Sequence, residues 1–191
     1  MKIAITGHSA GIGKALAAIL QQRGHDIVGL SKRNGDNIRM VSKIADKIES
    51  CDLFINNAQA GYAQTELLYE VCQRWQNQSN KYIWCISTLM TQSPVDVSIS
   101  GQTDHHLSQY RNQKIALEEA CNQLRHRPEM PNIMLIRPGA VGTQPGQEGR
   151  WPYADVDAWA KVVIDSISQA ESQHLRIKDL SLSLTKYPMH L

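Results

Sequence analysis

Residues 1–30 read MKIAITGHSAGIGKALAAILQQRGHDIVGL. The apolar run KIAIT at 2–6 stops at glycines, and residues 12–20, IGKALAAIL, then bring helix formers with Leu16, Ile19 and Leu20 at helical spacing. Gly24 closes that helix, and DIVGL at 26–30 supplies a second β-type run. A strand, a helix and a strand within about 30 residues match the size of a parallel βαβ crossover.

The alternation continues outward from this unit. Helix-like MVSKIADKIES (40–50) precedes strand DLFIN (52–56), and helix-like TELLYEVCQRWQ (65–76) precedes strand YIWCIS (82–87). A long helical pattern covers 106–126, followed by strand NIMLIR (132–137), a Gly/Pro-rich loop and a helix over about 155–169. Val156, Trp159, Val163 and Ile167 form one apolar face of that last helix. LRIKDLSLSL (175–184) is a final β-like run. The pattern predicts an α/β fold: a Rossmann-like, doubly wound parallel sheet in three α/β/α layers, with ligands beyond the C-terminal strand ends. Most of the 12 glycines fall in two loops after strands, residues 7–13 and 139–149. Glycines concentrated there mark backbone that something approaches closely.

The 191 residues predict a single domain, residues 1–191, without a separate substrate module. Hydrophobic residues at 42% and charged residues at 20% suit a packed globular core. The formal net charge of +2 carries no basic footprint for nucleic acid and no polybasic membrane anchor. No stretch reaches the roughly 18 apolar residues of a membrane helix, and Gly7, His8, Gly11, Gly13 and Lys14 interrupt any signal-peptide core. Cys51, Cys72, Cys85 and Cys121 form no Cys-x-x-Cys pair, which fits a reducing, cytoplasmic setting. No residue spacing suggests a metal site.

Thr6-Gly7-His8-Ser9-Ala10-Gly11-Ile12-Gly13 lies between the first strand and the first helix. Exposed N–H groups and the helix dipole can hold a phosphate there. The spacing is Gly-x-x-x-Gly-x-Gly, so the general Gly-x-Gly-x-x-Gly fingerprint does not match. An unphosphorylated ribose is usually held by a carboxylate at the end of the second strand. This chain has Ser31-Lys32-Arg33 instead, two cations suited to a 2′-phosphate, and predicts NADP(H) in preference to NAD(H).

Tyr110 and Lys114 are an i, i+4 pair on the long helix. A cation beside the phenol is expected to lower its pKa from about 10 toward neutrality, as a general acid or base requires. Ser87 and Thr88 bring hydroxyls to the end of strand 82–87, the functional edge of a parallel sheet.

With these motifs in order, the sequence resembles the short-chain dehydrogenase/reductase family. TGHSAGIG matches the family's Thr-Gly-x-x-x-Gly-x-Gly, and DLFINNA at 52–58 is similar to its fourth strand and Asn-Asn-Ala-Gly turn. YRNQKIAL resembles the Tyr-x-x-x-Lys helix, and RPGAVGT at 137–143 resembles the Pro-Gly-x-Val-x-Thr loop. The resemblance implies Ser87, Tyr110 and Lys114 as the catalytic set: Ser87 would polarise the carbonyl, Tyr110 would transfer the proton, and Lys114 would lower the Tyr110 pKa and bind the nicotinamide ribose. It implies cofactor contacts from Gly7, Ser9, Ala10, Gly11, Ile12, Gly13, Ser31, Lys32, Arg33, Asn57, Ala58, Pro138, Gly139, Val141 and Thr143, besides Tyr110 and Lys114.

The chain also departs from the family. Gln59 stands where the turn usually has Gly, and Ala10 where NADP-preferring members often carry Arg or Lys. Residues 34–51 are too few for the family's helix, strand and helix at mean lengths of about 11, 5 and 11, so one helix and at most a stub of strand are expected. The family's helix Asn has no counterpart, since Asn77 and Asn80 read as helix-end or loop residues. The stretch from Ser87 to Tyr110 is expected to fold over one side of the site, with Ser98 and Ser100 as rival serines. His105 and His106 read as surface residues, and Trp151, Pro152 and Tyr153 lie where family lids contact substrate.

The function implied is an NADP(H)-dependent oxidoreductase acting on a small carbonyl or alcohol. The alternative is a non-catalytic NADP-binding sensor or scaffold that keeps the fold. A nucleotide-sugar epimerase or reductase would need a larger C-terminal region. Self-association is the family's habit, and the shortened helix at 64–77 favours a homodimer over a tetramer.

Overall fold

Strand side chains alternate between two faces, and the central strands of this chain are apolar on both. In a computed structural model, which describes residues 1–92, 104–147 and 153–184, that property builds a three-layer α/β/α molecule. Six strands form one parallel sheet in the order β2-β1-β3-β4-β5-β6: β1 (Lys2–Thr6), β2 (Asp26–Leu30), β3 (Leu53–Asn56), β4 (Tyr82–Ile86), β5 (Asn132–Pro138) and β6 (Asp179–Leu182). Every pairing is parallel.

Ile3, Ile5, Leu53, Ile55, Trp84, Ile86, Met134 and Ile136 point to one face. There they meet Leu16 and Leu20 of α1 (Gly11–Gln22) and Trp159, Val163 and Ile167 of α5 (Val156–Ser172). Ala4, Phe54, Ile83, Cys85, Ile133 and Leu135 point to the other face. Their partners are Ile44 and Ile48 of α2 (Val41–Ile48), Leu67 and Val71 of α3 (Ala63–Arg74), and Leu117 and Cys121 of α4 (Asp104–Leu124). Trp75, just past α3, is fully buried in the second layer, and its indole N–H donates to Glu49 O at 3.1 Å. Asp155 caps α5 by accepting from the Ala158 N–H at 2.7 Å.

The chain runs from β1 outward to β2, then returns across β1 to β3. Right-handed crossovers in opposite directions put α1 and α2 on opposite faces. Loops after β1 and β3 therefore diverge, and the crevice between them is the topological switch point where such sheets bind ligands.

The expected shortening between β2 and β3 is observed. A 3₁₀ turn, Lys32–Asn34, and α2 fill the interval with no intervening strand, so β2 is an edge strand paired with β1 alone. In the run 175–184 only Asp179–Leu182 is strand, pairing with β5; the chain reaches it from His174, which turns through a left-handed φ of 57°. Among the described residues no helix is long and apolar enough to cross a membrane.

Truncating Trp75 to Ala should leave a cavity that the second layer cannot close, costing about 3–5 kcal/mol. Urea titration of Trp75→Ala should show a lower midpoint at an unchanged slope; a midpoint equal to wild type would contradict the packing described.

Candidate active site

At the switch point, Thr6 ends β1 fully buried. Its hydroxyl accepts the N–H groups of Asn57 at 3.0 Å and Ala58 at 3.1 Å, while the Asn57 amide donates to Thr6 O at 2.9 Å. The Gly7 N–H donates to Leu30 O at 2.7 Å, so the ends of β1, β2 and β3 share one bonded cluster. Gly13 has no room for a side chain: a Cβ there would lie 2.4 Å from Gly7 O and 2.7 Å from the Asn57 amide nitrogen. Gly11, at φ +52°, lies against Thr143, whose side chain a Cβ would meet at 3.2 Å.

Helix α1 begins at this loop with Ala10 as its N-cap, no capping side chain and no acidic residue in its first turn. Its first N–H groups therefore suit an anion. On the neighbouring strand end, Ser31 is buried, and its hydroxyl has no hydrogen-bond partner among the described residues. Lys32 and Arg33 are exposed beside it. An orphaned hydroxyl, two cations and an uncapped helix start fit a dinucleotide bearing a ribose phosphate.

The second half of the site stands on α4. Lys114 is 3% exposed, and its Nζ donates to Gln64 Oε1 and Ile86 O, each at 2.8 Å. Burial lowers its pKa from the ordinary 10.5 to about 8, partly offset by Cys85 and Glu118. Its Nζ lies over the Tyr110 ring, 5.6 Å from the centroid. The expectation that Lys114 depresses the Tyr110 pKa is not met. Burial raises the phenol, and the group that opposes the rise is the Thr88 hydroxyl. The ammonium faces the ring, and its N–H groups are directed to Gln64 and Ile86 instead of the phenol oxygen.

Ser87, expected at the substrate carbonyl, is bonded within the protein. The Ser87 hydroxyl donates to the Glu118 carboxylate, which also accepts from Thr91 at 2.8 Å and from Arg137 at 2.9 Å. Thr88, one residue on, is the strand-end hydroxyl beside Tyr110. Its oxygen also accepts from Met90 N at 3.3 Å and so caps the turn Leu89–Thr91. The Ser87-Thr88 pair announced a hydroxyl at the strand end, and only the fold decides which of the two faces the phenol. Gln64 was not marked by any pattern; its buried carboxamide under Lys114 emerges only from the packing of α3 on the strand ends.

The remaining residues arrange as follows. Pro138 ends β5; Gly139 N donates to Leu182 O at 2.8 Å, and Val141 is buried. Gln59 is exposed, and its amide donates to the Gln113 carboxamide, bridging the β3–α3 loop to α4. Asn77 turns the chain after α3 at φ 65° and donates its N–H to Glu129 O, away from Lys114. His105 and His106 are exposed at the start of α4. Ser98, Ser100, Trp151 and Pro152 lie outside the described residues, as does much of the stretch expected over the site. Among the described residues no cluster of His, Cys, Asp or Glu could hold a metal.

No protein-family model and no curated protein matches the sequence. Solved structures do match. An alcohol dehydrogenase from the archaeon Thermococcus sibiricus, complexed with 5-hydroxy-NADP, is 16% identical with a TM-score of 0.70, covering 100% of both chains. The NADPH-dependent 3-quinuclidinone reductase of Rhodotorula rubra is 17% identical with a TM-score of 0.72, over 95% of this chain and 89% of that one. The serine dehydrogenase of Escherichia coli is 16% identical with a TM-score of 0.68, over 99% and 100%. This is the short-chain dehydrogenase/reductase fold. Within it, the chain's glycine loop and α4 flank the switch-point crevice.

The buried ammonium has a thermodynamic signature. Between pH 8 and 10.5 the unfolded chain keeps a Lys114 proton that the folded protein has released, so folding stability rises with pH across that window. Relative to Lys114→Met, wild-type stability should gain up to about 3 kcal/mol from pH 7 to pH 10. Denaturant titrations of both proteins at pH 7, 9 and 10 measure this; a constant difference would contradict it.

Proposed function

We propose that this chain is an NADP(H)-dependent oxidoreductase, acting on a small carbonyl or alcohol through Thr88, Tyr110 and Lys114. The observation that carries the reading is buried Lys114 lying over the Tyr110 ring with the Thr88 hydroxyl acting on the phenol, at the strand edge that also bears the glycine loop. The NADP-related names of two of the matched structures support the cofactor class.

In this reading the backbone of Gly7, Ser9, Ala10, Gly11, Ile12 and Gly13 holds the pyrophosphate. Ser31, Lys32 and Arg33 hold the ribose phosphate, with Arg33 supplying a planar fork. Asn57 and Ala58 border the adenosine side; Pro138, Gly139, Val141 and Thr143 border the nicotinamide. When bound, the cofactor supplies or accepts a hydride.

The chain's own groups manage the oxygen and its proton. Thr88 Oγ1 donates to the substrate oxygen and fixes it beside Tyr110. Burial raises the Tyr110 pKa, so the phenol keeps its proton at neutral pH and is in the state that donates during reduction. The Lys114 N–H that is bonded to neither Gln64 nor Ile86 orients the ribose. Ser87 braces the turn that carries Thr88 through Glu118, outside the reacting set.

Four buried, reduced cysteines suit a cytoplasmic protein. Tyr62 and Tyr69, exposed at α3, and Ile115, exposed on α4, suit self-association as a homodimer. The raised phenol also favours a second reading, an NADP-binding sensor without turnover, because the tyrosine resists acting as a base.

NADPH oxidation against a panel of aldehydes, ketones and quinones tests both. The enzyme reading expects turnover that falls by about 10²–10⁴-fold in Tyr110→Phe. Thr88→Ala should lose about 10²-fold, with Ser87→Ala much closer to wild type. Tight NADPH binding with a flat panel would favour the sensor, and full activity in Tyr110→Phe would remove the proton-transfer role. In binding titrations, Arg33→Ala should erode the preference for NADPH over NADH; an unchanged preference would reassign the phosphate contact.

A further inference from the structure

The carboxamide of Gln64 is bonded on every side. Gln64 is the second residue of α3 and 2% exposed. Its Nε2 donates to Asn56 O at the end of β3, 2.7 Å away, and to Ile86 O at the end of β4, 3.1 Å away. The Asn56 side chain returns a bond from Nδ2 to Gln64 O at 2.9 Å. Gln64 Oε1 accepts from Lys114 Nζ at 2.8 Å, and the same ammonium donates to Ile86 O. Two carbonyl oxygens on one side and an ammonium on the other leave one orientation for the amide. Turning it over would set oxygen against carbonyl oxygen and NH₂ against NH₃⁺.

We propose that Gln64 is the positioning residue for Lys114, its oriented carboxamide fixing where the ammonium sits and how firmly it holds its proton. This deepens the reading above, and its catalytic consequence rests on that reading. The resemblance sends the search to an asparagine midway along a helix. Here α3 starts soon after β3, so its first turn, and not its middle, lies over the strand ends beside Lys114. From that place a glutamine reaches the lysine directly.

The groups facing Lys114 are few. Cys85 faces it from β4; Tyr110 and Glu118 face it from α4; Gln64 faces it from α3. Glu118 favours the charged form but is already bonded by Ser87, Thr91 and Arg137. Beside the backbone acceptor Ile86 O, the neutral carboxamide is the side chain within direct hydrogen-bond reach that stabilises the ammonium without adding charge. Two of the three N–H groups are taken up by Gln64 and Ile86, and the third has no hydrogen-bond partner among the described residues. An apolar side chain at position 64 would remove the acceptor without adding charge and leave the ammonium less stabilised.

The test is made on the protein without cofactor. Lysine residues labelled with ¹³C at Cε are titrated by NMR, and the Lys114 signal is assigned by its loss in Lys114→Met. In wild type its midpoint is expected near pH 8. Gln64→Leu and Gln64→Met, which remove the acceptor without adding charge, should lower the midpoint by at least one unit, a ten-fold loss in proton affinity. A folded variant of either kind that titrates as wild type overturns the proposal. So does failure of both variants to fold, checked by near-ultraviolet circular dichroism, which would make Gln64 a scaffold residue. NADPH binding by the wild type, followed in parallel, tests the oxidoreductase reading alone. Shifted titrations in a protein that binds no NADPH would sustain Gln64's role and remove that reading.

Discussion

One hydroxyl joins the two strands between which the sheet changes direction. Thr6 Oγ1 receives both N–H groups that open the turn after β3, and the Thr6 carbonyl receives the Asn57 side chain. These groups are buried or nearly so, and a missing partner would cost about 1–3 kcal/mol each. The glycine loop depends on this tie, because Gly13 packs against both Gly7 O and the Asn57 amide. The start of α1, and with it every backbone N–H offered to an anion, is therefore placed by contacts inside the protein.

A second constraint is charge in the core. Lys114 is enclosed by neutral acceptors, and the carboxylate nearest to it along α4 belongs to another chain of bonds. Ser87 and Thr91 meet Glu118, Glu118 meets Arg137, Arg137 meets Asp179 on β6 at 3.0 Å, and Asp179 meets Arg125 at 2.6 Å. The ladder runs from the strand-end turn that carries Thr88 to the far edge of the sheet. Such a network is worth little as net stability but is costly to break at one member, which is how it holds a turn in place.

Strand and helix periodicity made the fold legible, since each apolar run either alternates between the two layers or repeats at helical spacing. The missing strand after β2 is legible in the shortness of residues 34–51 against the helix, strand and helix that the resemblance implies there. The site was legible where backbone chemistry demands particular residues, as in the glycine loop and the Tyr110–Lys114 pair. It was not legible where a side chain's role depends on which way it faces. Ser87 and Thr88 are equivalent on paper, yet one hydroxyl is bonded to Glu118 and its neighbour acts on the Tyr110 phenol. The direction of the Tyr110 pKa shift is not legible either, because spacing reports proximity, whereas burial and the direction of the ammonium's bonds decide the shift. Gln64 carries no pattern, because its importance comes from meeting two strand ends and a helix at once.

The shortened stretch after β2 has a consequence for motion. A strand with one neighbour is the first part of a sheet to fray, and its amides exchange through local opening at a fraction of the global unfolding free energy. β2 is one of the two edge strands, and it leads into Ser31, Lys32 and Arg33. Any ligand that spans the glycine loop and this turn staples an edge strand to its neighbour β1. Occupancy of the crevice and order at the sheet edge are then one equilibrium, with amide protection in β2 rising as the logarithm of ligand concentration over its dissociation constant.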